Sequence, residues 1–189
     1  QSNRRYAECA VLVRASWQMR AFEERFIVTG TPYRVIGGPR FFERQEIRDA
    51  LAYLRLIRSE ADDLAFERIV NTPKRGLGEA AIRQIHDAAR ANQVPMLAAA
   101  RMLVETEELK PKVRSSLRQV VELFDRWTLA LDQKPHTELA EQILEESGYT
   151  DMWKADRSAD APGRLENLKE LIRSMEDYES LRAFLEHVA

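Results

Sequence analysis

Residues 43–59 read ERQEIRDALAYLRLIRS. Within them Ile47, Ala50, Leu51, Leu54 and Ile57 recur at three- and four-residue spacing. An α-helix repeats every 3.6 residues, so this spacing gathers all five on one face. A strand would scatter them over two faces. The stretch therefore predicts a long amphipathic helix ending near Ser59. The same period governs everything downstream. Asp62 or Asp63 is placed to cap a helix carrying Leu64, Phe66, Ile69 and Val70. Glu79 to Asn92 turns Ile82, Ile85 and Ala89 inward. Pro95 suits the first turn of another helix. Val113 to Leu131 carries Leu117, Val120, Leu123, Phe124 and Trp127 along one face. Thr137 is positioned to cap a helix that stops at Gly148. RSADAPG, 157–163, reads as a polar loop, and helices follow over about 164–177 and 180–188, the last capped by Ser180.

Upstream the pattern changes. Cys9–Val13 (CAVLV) is continuously apolar, as in a short buried parallel strand. Ser16 then begins a helix to about Val28, with Met19, Phe22, Phe26 and Ile27 on one face, stopped by Gly30 and Pro32. Tyr33–Ile36 (YRVI) reads as a second strand. Strand, helix and strand form a βαβ-like unit over 7–43, followed by a helical region over 44–189. Two strands alone make no stable parallel sheet, so the unit reads as a remnant of a larger α/β subdomain and the chain as a fragment.

The 189 residues are 44% hydrophobic and 32% charged, with a net charge of −2. A chain so balanced offers nucleic acid at most a local basic patch. The single Cys9 supports no disulfide framework. No signal peptide is visible, and no apolar run approaches the ~20 residues of a membrane span. His86, His136 and His187 share no metal-ligand spacing, so no metal site is expected. No phosphate loop of the form G-x-x-x-x-G-K-[ST] occurs, and no nucleophile–base constellation is evident.

The candidate site is NTPKRGLGEAAI, 71–82. Gly76 and Gly78 permit positive φ and close backbone approach. The helix that follows begins with unpaired N–H groups and a partial positive charge, which suit a phosphate oxygen. Lys74 and Arg75 add cations. Such a turn would hold the DNA backbone without reading its sequence. The alternative is a plain glycine link between two helices. A second candidate is Arg14, Ala15 and Ser16, at the carboxyl end of the first predicted strand, where α/β sheets gather ligands. There too Ser16 could be only a helix cap. A third is Gly37 to Arg44, whose Phe41 and Phe42 could stack on bases or could anchor a chain crossing between domains.

Three stretches taken together resemble one family. AVLVRASWQMRAFEERFIVTGTPYRVIGGPRFFERQEIRDALAYLRLI looks like the middle of the UvrD/PcrA/Rep helicases of superfamily 1. DDLAFERIVNTPKRGLG continues the resemblance, and RLENLKELIRSMEDYESLRAFLEHVA is similar to the segment before those enzymes resume their motor core. The resemblance implies a mainly α fragment: part of motor subdomain 2A over 7–43, then accessory subdomain 2B over 44–189 with a helix-hairpin-helix-like turn. It implies a parent that is an ATP-dependent 3′ to 5′ DNA helicase of repair or replication. ATP and Mg would be bound outside this fragment, which alone would be inactive and hold no cofactor. The family's R-T-N falls on Arg14, Ala15 and Ser16 and implies single-strand contact, with Ser16 shorter than Asn. Its T-P-x-R-G-I-G falls on Thr72, Pro73, Lys74, Arg75, Gly76, Leu77 and Gly78 and implies contact with duplex ahead of the fork. Its G-x-R-F-F-E-R falls on Gly38 to Arg44 and marks the crossing between subdomains. Gly37, Gly38, Arg40, Phe41, Phe42 and Arg44 are thereby hinge candidates. Expected partners are duplex and single-strand junction DNA, with repair proteins possible, and the expected location is the cytoplasm, with the nucleoid. A helical protein-interaction module that recruits repair partners is the competing reading.

Overall fold

The computed structural model describes residues 5–6, 9–35 and 41–188. Ten α-helices lie among them: α1 Met19–Val28, α2 Gln45–Arg58, α3 Asp63–Ile69, α4 Glu79–Asn92, α5 Met96–Val104, α6 Pro111–Ala130, α7 His136–Glu146, α8 Tyr149–Ala155, α9 Ala161–Met175 and α10 Leu181–Val188. The mainly helical expectation holds.

The centre of the molecule is α2. Its apolar face is joined below the surface by Glu46, Asp49, Ala52, Tyr53 and Leu56, so it is covered on nearly every side. It packs against α3, α6, α7, α9 and α10. Around it run α3 to α6, a succession of neighbours in which α4 pairs with α5 and α5 with α6. On the other flank α7, α8 and α9 close over its polar residues. The core is one continuous cluster in which Tyr53, Phe66, Phe124, Trp127, Tyr149 and Phe184 are all but inaccessible. Burying large aromatic and aliphatic side chains of this kind supplies the main favourable term of folding.

Helix ends follow the local chemistry in part. Asp62 caps α3, its Oδ1 accepting the Ala65 amide at 3.0 Å. Ser180 Oγ accepts the Ala183 amide at 3.2 Å, as expected for the cap of α10. Thr137, by contrast, lies inside α7, whose flanking residue is Pro135. The helix begins at His136, directly after Pro135, whose backbone is extended at ψ 136° and which has no amide that needs a partner. α9 starts at Ala161 and takes up Pro162 and Gly163 from the predicted loop. α8 was not expected. It follows Gly148, whose φ of +77° breaks α7 and redirects the chain.

The βαβ expectation is corrected. Among the described residues there is no strand: Cys9–Val13 and Tyr33–Val35 carry no ladder. An apolar run becomes a strand only when its amides and carbonyls find a neighbouring strand, and among the described residues there is none to pair with. Leu12 accordingly stands 95% exposed. α1 exists, but its burial departs in part from expectation: Met19 and Phe26 are half-buried. Phe22 and Ile27 are exposed, while Arg20 and Glu23 are buried. The cause is polar. Arg20 Nε donates to Glu170 Oε1 on α9 at 2.8 Å, and its Nη1 to Glu24 Oε1 at 2.6 Å. Glu23 Oε2 accepts the Phe41 amide at 3.1 Å. Ser16 opens a short 3-10 turn, Ser16–Gln18, in place of capping α1. The amides before it are held by Gln18, whose Oε1 accepts those of Arg14 and Ala15.

Candidate nucleic-acid interface

The turn between α3 and α4 is built from below. Tyr53, 1% exposed, stands on α2 among Phe124, Trp127 and Tyr149, with ring centroids 6.1–6.2 Å away. Its hydroxyl reaches the turn and donates to the Thr72 carbonyl. Burial pushes its phenol pKa up, so the group stays a neutral donor. Asn71 Oδ1 accepts the Arg75 amide at 2.8 Å and the Leu77 amide at 3.3 Å. Leu77 inserts its side chain into the core and is fully buried. The Thr72–Pro73 peptide is cis.

What is left outside is the rim. Gly76 has φ +75°, which a side chain would resist, and a Cβ there would meet nothing. Gly78 is the flanking residue of α4, extended at φ −74° and ψ 175°, with no side-chain cap. Gly76, Gly78, Glu79 and Ala80 are exposed at the positive end of a 14-residue helix, and among the described residues their backbone amides have no acceptor. Lys74 is exposed beside them. Glu79 also stands at this rim, exposed and only 3.7 Å from Arg83, so the local field is mixed.

Arg75 does not stand with Lys74. Its guanidinium points inward and finds five neutral oxygens. Nη1 donates to the carbonyls of Ile69 at 2.9 Å, Val70 at 3.2 Å and Pro73 at 3.4 Å. Nη2 donates to Tyr53 Oη at 2.8 Å and to the Ser147 carbonyl at 2.9 Å. The Ile69 and Val70 carbonyls lie at the end of α3, where a cation is favoured; the Ile69 carbonyl also accepts the Thr72 amide at 3.0 Å. The Ser147 bond joins the turn to the α7–α8 junction, where Gly148 lies beside Pro73.

A second polar group supports the same junction. Asp49 on α2 is 3% exposed. Its Oδ1 accepts from Arg68 Nε at 2.6 Å and its Oδ2 from Tyr149 Oη at 2.8 Å. Burial, then the Asp49 carboxylate, push the Tyr149 phenol pKa far up. Tyr53 and Asp49 were absent from the sequence candidates. Their signal was present: Glu46, Asp49 and Tyr53 share a helical face with apolar residues, and a polar side chain at a core position demands a partner.

The remaining candidates are dispersed. Arg14 is exposed in a bend before the 3-10 turn, and among the described residues no hydrogen bond or ion pair joins it to the 71–78 turn. The expected strand end that would have presented it is missing. Of the hinge candidates, Gly37, Gly38 and Arg40 lie outside the described residues. Phe41 is fully buried and edge-to-face with Phe42 at 5.1 Å, so it anchors the chain and cannot stack on a base. Arg44 is buried over the Phe41 ring and donates to Asn167 Oδ1 at 3.1 Å. Asn167 donates in turn to Glu46 Oε1 at 2.6 Å. Among the described residues no three metal-ligating side chains gather. Among the described residues no helix is long and apolar enough to cross a membrane.

Residues 1–187 match the family model of the UvrD-like helicase C-terminal domain. The chain is 38% identical over 192 residues to DNA helicase II of Escherichia coli, covering 97% of this chain and 27% of that protein. It is 39% identical over 178 residues to a probable DNA helicase II homolog of Rickettsia conorii, with 94% and 27% covered. Against the ATP-dependent DNA helicase PcrA of Staphylococcus epidermidis the identity is 35% over 181 residues, with 95% and 24% covered. The chain spans about a quarter of the length of these relatives. With a family match over nearly its whole length, the chain belongs to the UvrD-like helicase C-terminal domain family.

Proposed function

We propose that this chain is the accessory, duplex-gripping part of an ATP-dependent 3′ to 5′ DNA helicase of repair or replication. Residues up to 43 belong on the motor side (2A) and residues from 44 form the accessory subdomain (2B). Residues 37–44 are the crossing between them. α3, the 71–78 turn and α4 act as a helix-hairpin-helix-like unit. The observation that carries the reading is the turn itself: open amides of Gly76, Gly78, Glu79 and Ala80 at a helix start, Lys74 exposed beside them, and Leu77 locked underneath. Phosphate oxygens suit that geometry and base edges do not, so binding is sequence-independent. Arg14 and Ser16 would touch the single strand once the motor is in place. We assign ATP and Mg to parts of the parent outside this chain, because the sequence holds no phosphate loop. The parent would work in the bacterial cytoplasm, at the nucleoid.

The test is fluorescence anisotropy of labelled duplex, single-stranded and tailed-duplex DNA across a salt series. The chain binds the duplex-containing probes weakly, in any sequence, and affinity falls steeply with salt. Lys74→Ala weakens binding and lowers the salt slope by about 0.9, the value of one phosphate contact. Absence of binding to every probe, with capture of a purified repair protein, would establish the interaction-module reading in its place.

A further inference from the structure

We infer that Arg75 is a positioning residue of the proposed DNA grip, shaping the turn from within and making no phosphate contact. The inference rests on the duplex-binding reading for its DNA arm and on geometry for the rest. The family-like stretch sets Lys74 and Arg75 side by side, as if both were DNA-facing cations. The structure separates them. Lys74 is exposed, whereas the Arg75 guanidinium is occupied by Ile69, Val70, Pro73, Tyr53 and Ser147 oxygens. To reach a phosphate it would have to abandon all five. The Ile69 carbonyl would keep the Thr72 amide and the Tyr53 hydroxyl would keep the Thr72 carbonyl, but the Val70 carbonyl at the end of α3 would lose its guanidinium partner.

The arrangement also explains why arginine and not lysine occupies the position. Five acceptors lie around one planar group, on α2, at the end of α3, in the turn and at the α7–α8 junction. A planar fork satisfies several directions at once; an ammonium offers three donors from a single point. The guanidinium therefore fixes the spacing between the turn and the α7–α8 junction. With the Asn71 carboxamide holding the Arg75 and Leu77 amides, it holds the amides of Gly76 and Gly78 facing outward before any ligand arrives. A preformed cradle loses less conformational entropy on binding. The salt sensitivity of this turn then belongs to Lys74 alone.

Two measurements on the chain test this. In the DNA titration, Arg75→Ala and Arg75→Lys both weaken binding, and both leave the salt slope at the wild-type value, while Lys74→Ala lowers it by about 0.9. Retained affinity in Arg75→Lys, or a slope lowered in Arg75→Ala as in Lys74→Ala, would make Arg75 a phosphate contact and overturn the inference. Without DNA, amide hydrogen exchange at Leu77 speeds up in Arg75→Lys and in Tyr53→Phe, and stays unchanged in Lys74→Ala. Unchanged exchange in Arg75→Lys would equally overturn it. Should the wild-type chain bind no DNA, the duplex-binding reading fails, yet the exchange comparison still decides whether Arg75 shapes the turn. Arg75→Lys keeps the charge and most of the side-chain volume, so the comparison survives if Arg75→Ala does not fold.

Discussion

The two glycines of the turn have separate jobs, and substitution separates them. Gly76 sits at φ +75°, where any Cβ is strained although the space around it is open. Gly76→Ala therefore costs about 1 kcal/mol of stability, from backbone strain alone. Gly78 has an ordinary extended φ of −74° and flanks α4 at its capping position. Serine is a good cap there, and Gly78→Ser leaves stability unchanged or raises it by a few tenths of a kcal/mol, on the order of the serine–glycine difference at such sites. The new hydroxyl occupies the same amides a phosphate would use, so DNA affinity falls while stability does not. Urea unfolding and DNA anisotropy on the one variant check both halves. A Gly78→Ser protein that is destabilised, or that binds DNA as wild type, contradicts the assignment.

At the scale of elements, helical period was enough to place α2, α4, α6 and α10, because their apolar residues face a core that this chain itself supplies. It misread α1. There the apolar Phe22 and Ile27 are left exposed, and the burial is decided by Arg20 reaching Glu170 about 150 positions away. No local pattern reports so distant an ion pair. The predicted strands failed for a related reason, since a strand is defined by its partner and not by its own residues. The glycine turn was legible as a candidate, but not its wiring. That Tyr53 and Ser147 would converge on the Arg75 guanidinium depends on α2 and α7 meeting, which spacing along the chain does not encode. The α2–α8 pairing gives a prediction at this scale. Asp49 holds both Arg68 on α3 and Tyr149 on α8. Asp49→Ala strands a buried phenol and should cost about 3 kcal/mol, while Tyr149→Phe costs about 1–2 kcal/mol. Combined, they should cost less than their sum by about 0.5–2 kcal/mol, because the second removal has no partner left to orphan. Simple additivity in a urea-unfolding cycle would mean that the Asp49–Tyr149 bond contributes nothing specific.

For the whole molecule, the same buried phenols set a limit at alkaline pH. Tyr53 and Tyr149 are held neutral in the fold: burial raises both, and Asp49 raises Tyr149 further, while Arg75 opposes the shift at Tyr53. In the unfolded chain both would ionise near the ordinary phenol value of about 10. Below that pH the two states bind the same phenolic protons, and the stabilisation is fully present. Above it the unfolded chain releases protons that the folded chain retains, so stability declines as pH rises toward the folded values. The decline approaches about 1.4 kcal/mol per pH unit for each phenol kept neutral in the fold. Unfolding free energies measured by urea titration from about pH 8 to about pH 11 should therefore drop, and Tyr149→Phe should lessen the drop although it starts from a lower stability. Equal slopes for wild type and Tyr149→Phe would show that the Tyr149 phenol is not the group responsible. Because the Tyr53 hydroxyl donates to the Thr72 carbonyl and accepts from Arg75, the alkaline loss is not spread evenly. Ionised, Tyr53 can no longer donate to Thr72. Leu77 amide exchange, corrected for its intrinsic rise with pH, should therefore lose protection at a lower pH than the amides of α6, so that the proposed DNA grip loosens before the bundle unfolds.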